Sequence, residues 1–293
     1  MEKLSNFYPC IDDFITSDKI LYFCENLNNK EIQYIKTDFI KHRNQNQNNN
    51  IININNWRNL NKNINIKDIK ILISGHSDYD VSINELDILN NNYLKIWFCE
   101  NLNINHSKLY SIPIGIPNKD EDWVPYKEHP NYYKIIGNTD LLYNISKTSK
   151  KIKNLVYMNF SIITYSLERQ LVFDLYNNKN WVTLNNNDIT EKGYNNYLDE
   201  IYSHKFVFAP RGNGIDTHRI WESLYLRSIP IVKKCIGMEQ FYDLPILFVD
   251  DWNNITEDFL NEKYHEIINK EYPLEKLKID YWLNLIKNSL ILY

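Results

Sequence analysis

The chain has 293 residues, 43% hydrophobic, 14% aromatic and 24% charged, with a formal net charge of -4. That composition is globular and excludes a disordered or collagen-like chain. The mild negative charge argues against a nucleic-acid-binding surface, which is usually basic, and the length suits one large domain or two of about 100–150 residues.

Asparagine supplies 44 residues and glycine only 7. Asn, Ile, Lys and Tyr share AT-rich codons, so coding bias explains the excess better than a prion-like role. Motifs built from Gly, Pro, Arg, Trp or His therefore weigh more than motifs built from Asn, Ile or Lys. The first residues, Met1 to Asn6, lack a basic region followed by an apolar stretch, so no signal peptide is evident. No window approaches 18 consecutive apolar residues, so no membrane span is expected. Cys10, Cys24, Cys99 and Cys235 have no metal-type spacing and fit a reducing, cytoplasmic compartment.

Two apolar runs open the chain, Ile20–Cys24 and Ile32–Ile40, and both read as strands. Residues 44–67 are low-complexity and Asn-rich, and read as a surface insertion that buries too little to offset its ordering entropy. Strands follow at Ile69–Ile73 and Leu94–Cys99, then a third region at Leu109–Ile116. These runs do not alternate, which suggests strands covered on both faces. The hexapeptide Phe-Cys-Glu-Asn-Leu-Asn occurs at 23–28 and 98–103, and without similarity around the copies chance is the safer explanation.

The charged, Tyr-rich stretch 118–150 ends near a domain boundary. Beyond it strands at 155–160, 181–184, 206–209, 229–232 and 247–249 alternate with helices at 164–178, 194–203, 216–227 and 255–269. Such alternation implies parallel β-α-β units. The division expected is 1–150, 151–272 and a C-terminal helix within 273–293 that packs back on the first half.

The richest segment runs from Phe206 to Glu222. It reads as a strand, a Gly-rich loop and a helix start, the place where ligands bind in a parallel sheet. Asp216 or Thr217 is a suitable N-cap, and the first N–H groups of the helix, with His218 among its opening residues, would face an anion. Gly212 and Gly214, flanking Asn213, let backbone approach a phosphate. Arg211 and Arg219 supply forked donors. Glu222 shares a helix face with Arg219, and its carboxylate can accept bonds from two ribose hydroxyls. Together they describe a diphosphate-plus-ribose pocket. Neither a P-loop nor an early Gly-x-Gly-x-x-Gly is present.

Pro210-Arg211-Gly212, Arg219-Ile220-Trp221-Glu222-Ser223-Leu224 and Ile229-Pro230-Ile231-Val232 resemble the motif of the exostosin-type glycosyltransferases, glycosyltransferase family 47. The resemblance is strongest over 200–235 and faint in the first half. It departs at Arg227-Ser228, where the family prefers Gly-Cys. It implies an α/β GT-B fold of two Rossmann-like domains with a cleft between them. It also implies an inverting transfer from a nucleotide-sugar donor, a UDP-sugar foremost, to a glycan hydroxyl. By position, Arg211 and Arg219 would face the diphosphate and Glu222 the ribose or donor sugar. A soluble viral or microbial member suits a chain without an apolar span.

Inversion needs a base for the acceptor proton. Asp78, then His76, are the candidates, because Ser74-Gly75-His76-Ser77-Asp78 directly follows a strand. Glu100 and Asp120 sit near strand ends in the same half. Asp78-Tyr79-Asp80 also matches the Asp-x-Asp metal signature of the GT-A architecture, as does Asp120-Glu121-Asp122. The arginines already compensate the diphosphate, so no metal or other cofactor is required. Trp97, Trp123, Tyr126 and Trp252 are aromatic candidates for stacking on an acceptor sugar, though most such residues are core. A non-catalytic glycan-binding protein of the same fold is the reading from another class. Oligomeric state is open.

Overall fold

The computed structural model describes residues 1–27, 29, 31–36, 51–53, 69–118, 137–186, 188 and 190–293, with backbone alone at 51–53. The first half holds β1 (Glu2–Lys3), α1 (Ser17–Asn26), β2 (Ile32–Lys36), β3 (Ile51–Asn53), β4 (Ile71–Gly75), α2 (Leu86–Leu89), β5 (Ile96–Cys99), β6 (Leu109–Ser111) and α3 (Thr139–Lys147). The second half holds β7 (Asn154–Met158), α4 (Ser166–Tyr176), β8 (Val182–Leu184), α5 (Glu191–Tyr202), β9 (His204–Phe208), α6 (His218–Tyr225), β10 (Ile229–Lys233), β11 (Leu247–Val249) and α7 (Glu257–Asn269). β12 (Glu271–Tyr272) and α8 (Ile279–Leu292) complete the chain.

Two five-stranded sheets carry the fold, β3-β2-β4-β5-β6 and β11-β10-β9-β7-β8, and every neighbouring pair within them is parallel. Counted within its own half, each sheet has strand order 2-1-3-4-5, a doubly wound order with a switch point between its first and third strands. The chain is therefore α/β, with two Rossmann-like domains in the GT-B arrangement. β1 and β12 pair antiparallel.

Local chemistry accounts for the elements. β4 is buried at all five positions, as a strand covered on both faces must be. Pro230 lies inside β10, yet β11 pairs only from Ile231 onward, so its missing N–H falls where that ladder begins. The run Ile20–Cys24 is helix, not strand. The Thr16 side chain accepts from Lys19 N and fixes the start of α1, which buries Ile20, Leu21 and Cys24 while Tyr22 faces solvent. The first copy of the repeated hexapeptide thus begins on a helix, whereas the second begins on β5. Most of the Asn-rich stretch 44–67 lies outside the described residues, but Ile51–Asn53 forms the edge strand β3 beside β2.

α8 turns Ile279, Trp282, Ile286 and Ser289 inward and packs on α1. One apolar cluster joins Phe14, Ile15 and Ile112 of the first half to Trp221, Tyr225 and Phe241 of the second and Trp282 of α8. The buried Tyr225 hydroxyl accepts from Ile15 N at 2.9 Å and donates to Leu277 O at 2.9 Å.

Candidate active site

A cleft of about 390 Å³ opens between the two sheets, at the carboxyl ends of their strands. Asn159, Ser161 and Thr164 follow β7, and the loop 212–217 follows β9. The loop after β4 contributes Asp78, and the segment after β6 contributes Ile114 and Pro117.

The loop after β9 ties the halves together. Asn101 Oδ1 accepts from Ile215 N at 2.7 Å and Asp216 N at 3.0 Å, while its amide donates to Ser77 O at 2.8 Å. The buried Asp216 carboxylate accepts from Ile114 N at 2.8 Å and from Trp221 Nε1 at 2.9 Å. Burial pushes its pKa up to about 7 against those hydrogen bonds. Asp216 is thus a cross-cleft acceptor, not the N-cap of α6. Thr217 holds that position without a side-chain capping bond, and among the described residues its Oγ1 is buried without a partner.

Gly212 and Gly214 permit close approach, but to side chains of this protein. A Cβ on Gly214 would stand 3.0 Å from both amide atoms of Asn101, and one on Gly212 3.0 Å from Arg169 Nη2. Asn213, exposed, donates to Asp78 Oδ2 at 3.4 Å.

Of the two arginines singled out in the sequence, only Arg219 lines the cleft. Among the described residues its Nε is buried without a partner, and its guanidinium lies 5.8 Å from the Tyr197 ring centroid. Arg211 stacks on Tyr165 at 4.4 Å and donates to Asn213 O at 3.1 Å, so its charge lies on its own loop. Arg169 of α4 takes the second cationic place. It donates to Arg211 O and Ser161 O, each at 2.8 Å, and to Thr164 Oγ1. Burial, then repulsion from Arg219, lowers its pKa to about 10, and it stays charged at neutral pH.

Glu222 is buried. It accepts from Tyr194 at 3.1 Å and from Tyr197 at 2.6 Å. Burial, then the Glu222 charge, raises the Tyr197 pKa, so this hydroxyl stays a donor. Among the described residues Arg219 and Glu222 make no ion pair with each other. They stand one turn apart on α6 and both line the cleft.

The base candidates separate. Asp78 is exposed and lines the cleft. His76 does not line it. Its Nδ1 is 2.9 Å from the Tyr34 hydroxyl and its Nε2 2.7 Å from Asp18 Oδ1, and it adopts a left-handed φ of 52°. Behind it, buried Glu100 accepts from Ser17 at 2.5 Å, its Oε2 has no partner among the described residues, and burial raises its pKa to about 8. Asp120, Glu121, Asp122, Trp123 and Tyr126 lie outside the described residues. Trp97 and Trp252 are core. The Asp78-Tyr79-Asp80 reading fails on architecture, because two separate parallel sheets are not the GT-A arrangement. Asp80 accepts instead from Asn103 at 2.6 Å. Among the described residues no group of three His, Cys, Asp or Glu side chains is placed to hold a metal ion.

His218 also lines the cleft, with Nδ1 2.8 Å from Gly115 O of the first half. Arg169 and Asn101 escaped sequence reasoning. Arg169 sits on a helix with no motif around it. Asn101 is one of 44 asparagines, and its only signal was its place just after a buried strand.

No family model and no curated protein matches the sequence, so the exostosin-type resemblance rests on its motif alone. Among solved structures the fold is similar to an alpha1,3-fucosyltransferase crystallised with GDP-fucose. Identity is 11%, coverage is 88% of this chain and 89% of that chain, and the TM-score is 0.41. A likeness of that degree carries no substrate or residue role over to this chain.

Proposed function

We propose that the protein is a glycosyltransferase that binds a nucleotide sugar, a UDP-sugar foremost, in this cleft. It passes the sugar to a glycan hydroxyl with inversion. The observation that carries the reading is Arg219: a cation with its Nε buried and unpartnered among the described residues, beside a second cation, Arg169, in a cleft at strand carboxyl ends. Two like charges held together call for an anion between them, and a diphosphate has the charge and the acceptors. Glu222, fixed by two tyrosines, is placed one helical turn away to accept sugar or ribose hydroxyls. No metal is needed for charge compensation in this reading.

Thermal unfolding with a panel of UDP- and GDP-sugars tests it. Ligand at 100 times its Kd adds about 2.7 kcal/mol to folding stability, enough to raise Tm measurably. Arg219→Ala is expected to weaken nucleotide-sugar binding about 10- to 100-fold, the range for charge-assisted hydrogen bonds. If no nucleotide sugar raises Tm, the assignment fails. Binding with no turnover on any acceptor would favour a non-catalytic glycan-binding protein.

A further inference from the structure

His218 is the first residue of α6 and stands directly before Arg219. Its Nδ1 lies 2.8 Å from the carbonyl oxygen of Gly115. A carbonyl only accepts, so Nδ1 carries a proton. In the neutral ring the lone pair is then on Nε2. Nε2 has no partner among the described residues, and the ring lines the cleft with Arg219 and Glu222. The contact crosses between the halves, so the first domain fixes both the tautomer and the ring plane of a side chain in the second.

We propose that His218 is the catalytic base, its Nε2 taking the proton from the acceptor hydroxyl. This rests on the glycosyl-transfer reading above. The acceptor O–H bond breaks and its proton moves to Nε2. The acceptor oxygen bonds to the anomeric carbon. The bond from that carbon to the phosphate oxygen breaks, and its electron pair leaves with the nucleoside diphosphate beside Arg219. The imidazolium then returns its proton to water.

The surroundings suit both states of the ring. Burial holds the His218 pKa below the ordinary histidine value, with the charge of His76 acting in the same direction. The Gly115 carbonyl and the carboxylates of Glu222 and Asp78 act against it. The ring is therefore neutral at pH 7, and the same carboxylates stabilise the cation once it forms. The sequence candidates are less well placed. Both nitrogens of His76 are engaged, by Tyr34 and Asp18. Asp78 is exposed and bonded to Asn213.

His218→Asn tests this without cutting the link between the halves, because an asparagine amide can occupy the Nδ1 position and still donate to Gly115. The probe is whichever nucleotide sugar raises the wild-type Tm most, with release of nucleoside diphosphate followed on water and on simple glycosides as acceptors. His218→Asn is expected to lower kcat about 10²- to 10⁴-fold. Donor Kd should stay within threefold. The acid limb of the wild-type kcat profile, set below the usual histidine range, should disappear. Imidazole should partly restore turnover to His218→Ala. The proposal is overturned if His218→Asn keeps kcat within threefold, or if it loses donor binding in parallel with turnover. A wild-type protein that neither binds nor turns over any nucleotide sugar overturns the glycosyl-transfer reading itself, before any variant is compared.

Discussion

Glu100 shows how burial sets charge near the cleft. Its carboxyl accepts from the Ser17 hydroxyl and the His76 backbone N–H, which favour ionisation, yet burial prevails, aided by the Asp216 and Asp78 charges. Its pKa of about 8 lies far above the unfolded glutamate value near 4. The native protein thus keeps a proton that the unfolded chain releases, and stability falls as pH rises from about 4 to about 8, by up to about 1.4 kcal/mol per pH unit for this group. Glu100→Gln removes the titration, and its Tm should decline less steeply over that window. Parallel wild-type and variant curves between pH 5 and 9 would contradict the assignment. At this scale the sequence was legible where a residue's place follows from its own helix: Arg219 and Glu222 share a face of α6 and both line the cleft. It was not legible where the role depends on which way a loop turns. Arg211 and Arg219 looked equivalent by type and spacing. Tyr165 drew one guanidinium aside, and Arg169, remote in sequence, took the vacated place.

The loop after β9 is the element that makes a site out of two sheets, and its glycines test it. Ala at 214 would press on both amide atoms of Asn101 at 3.0 Å, disturbing bonds to Ser77, Ile215 and Asp216. Gly214→Ala should cost about 1–3 kcal/mol of stability, the range for disrupted buried hydrogen bonds. Gly212→Ala meets Arg169 Nη2 instead, at 3.0 Å, and touches none of the bonds of Asn101. It should leave Tm nearly unchanged while weakening nucleotide-sugar binding. Denaturant unfolding beside donor titration separates the two variants, and equal effects on stability would refute the distinction. Element type in the second half was readable because its strands are short apolar runs and its helices carry a 3.6-residue period. In the first half Ile20–Cys24 is short enough to satisfy either pattern, and the Thr16 cap decided it. That loop 211–218 would grip the opposite domain could not be read locally, because its partners Asn101, Ile114 and Gly115 lie about 100 residues away.

At the scale of the molecule, the cleft stays aligned because the halves share a core. Trp282 of α8 meets Phe241 edge-on at 5.9 Å, and Phe241 meets Trp221 of α6 at 5.2 Å. Tyr225, on the same helix, stacks edge-on with Phe14 of the first half at 4.7 Å. The last helix thus packs on the first domain and braces the helix that carries Arg219 and Glu222. The division expected from the sequence, at 150 and 272 with the last helix packing back on the first half, does not extend to a shared core, since a Rossmann-like pattern says nothing of what lies between its copies. Continuity predicts cooperativity. Wild-type unfolding should appear as one calorimetric transition, because the apolar cluster that spans both halves is larger than the cluster each sheet keeps to itself, and losing either half exposes it. Trp282→Ala should lower stability by about 3–5 kcal/mol, the usual cost of deleting a buried tryptophan, and should shift that single transition downward intact. Domains that fold independently would instead give two transitions, with the variant moving only one of them. That outcome would mean that the alignment of Asp78 and Gly115 with α6 depends on the hydrogen bonds of the loop alone.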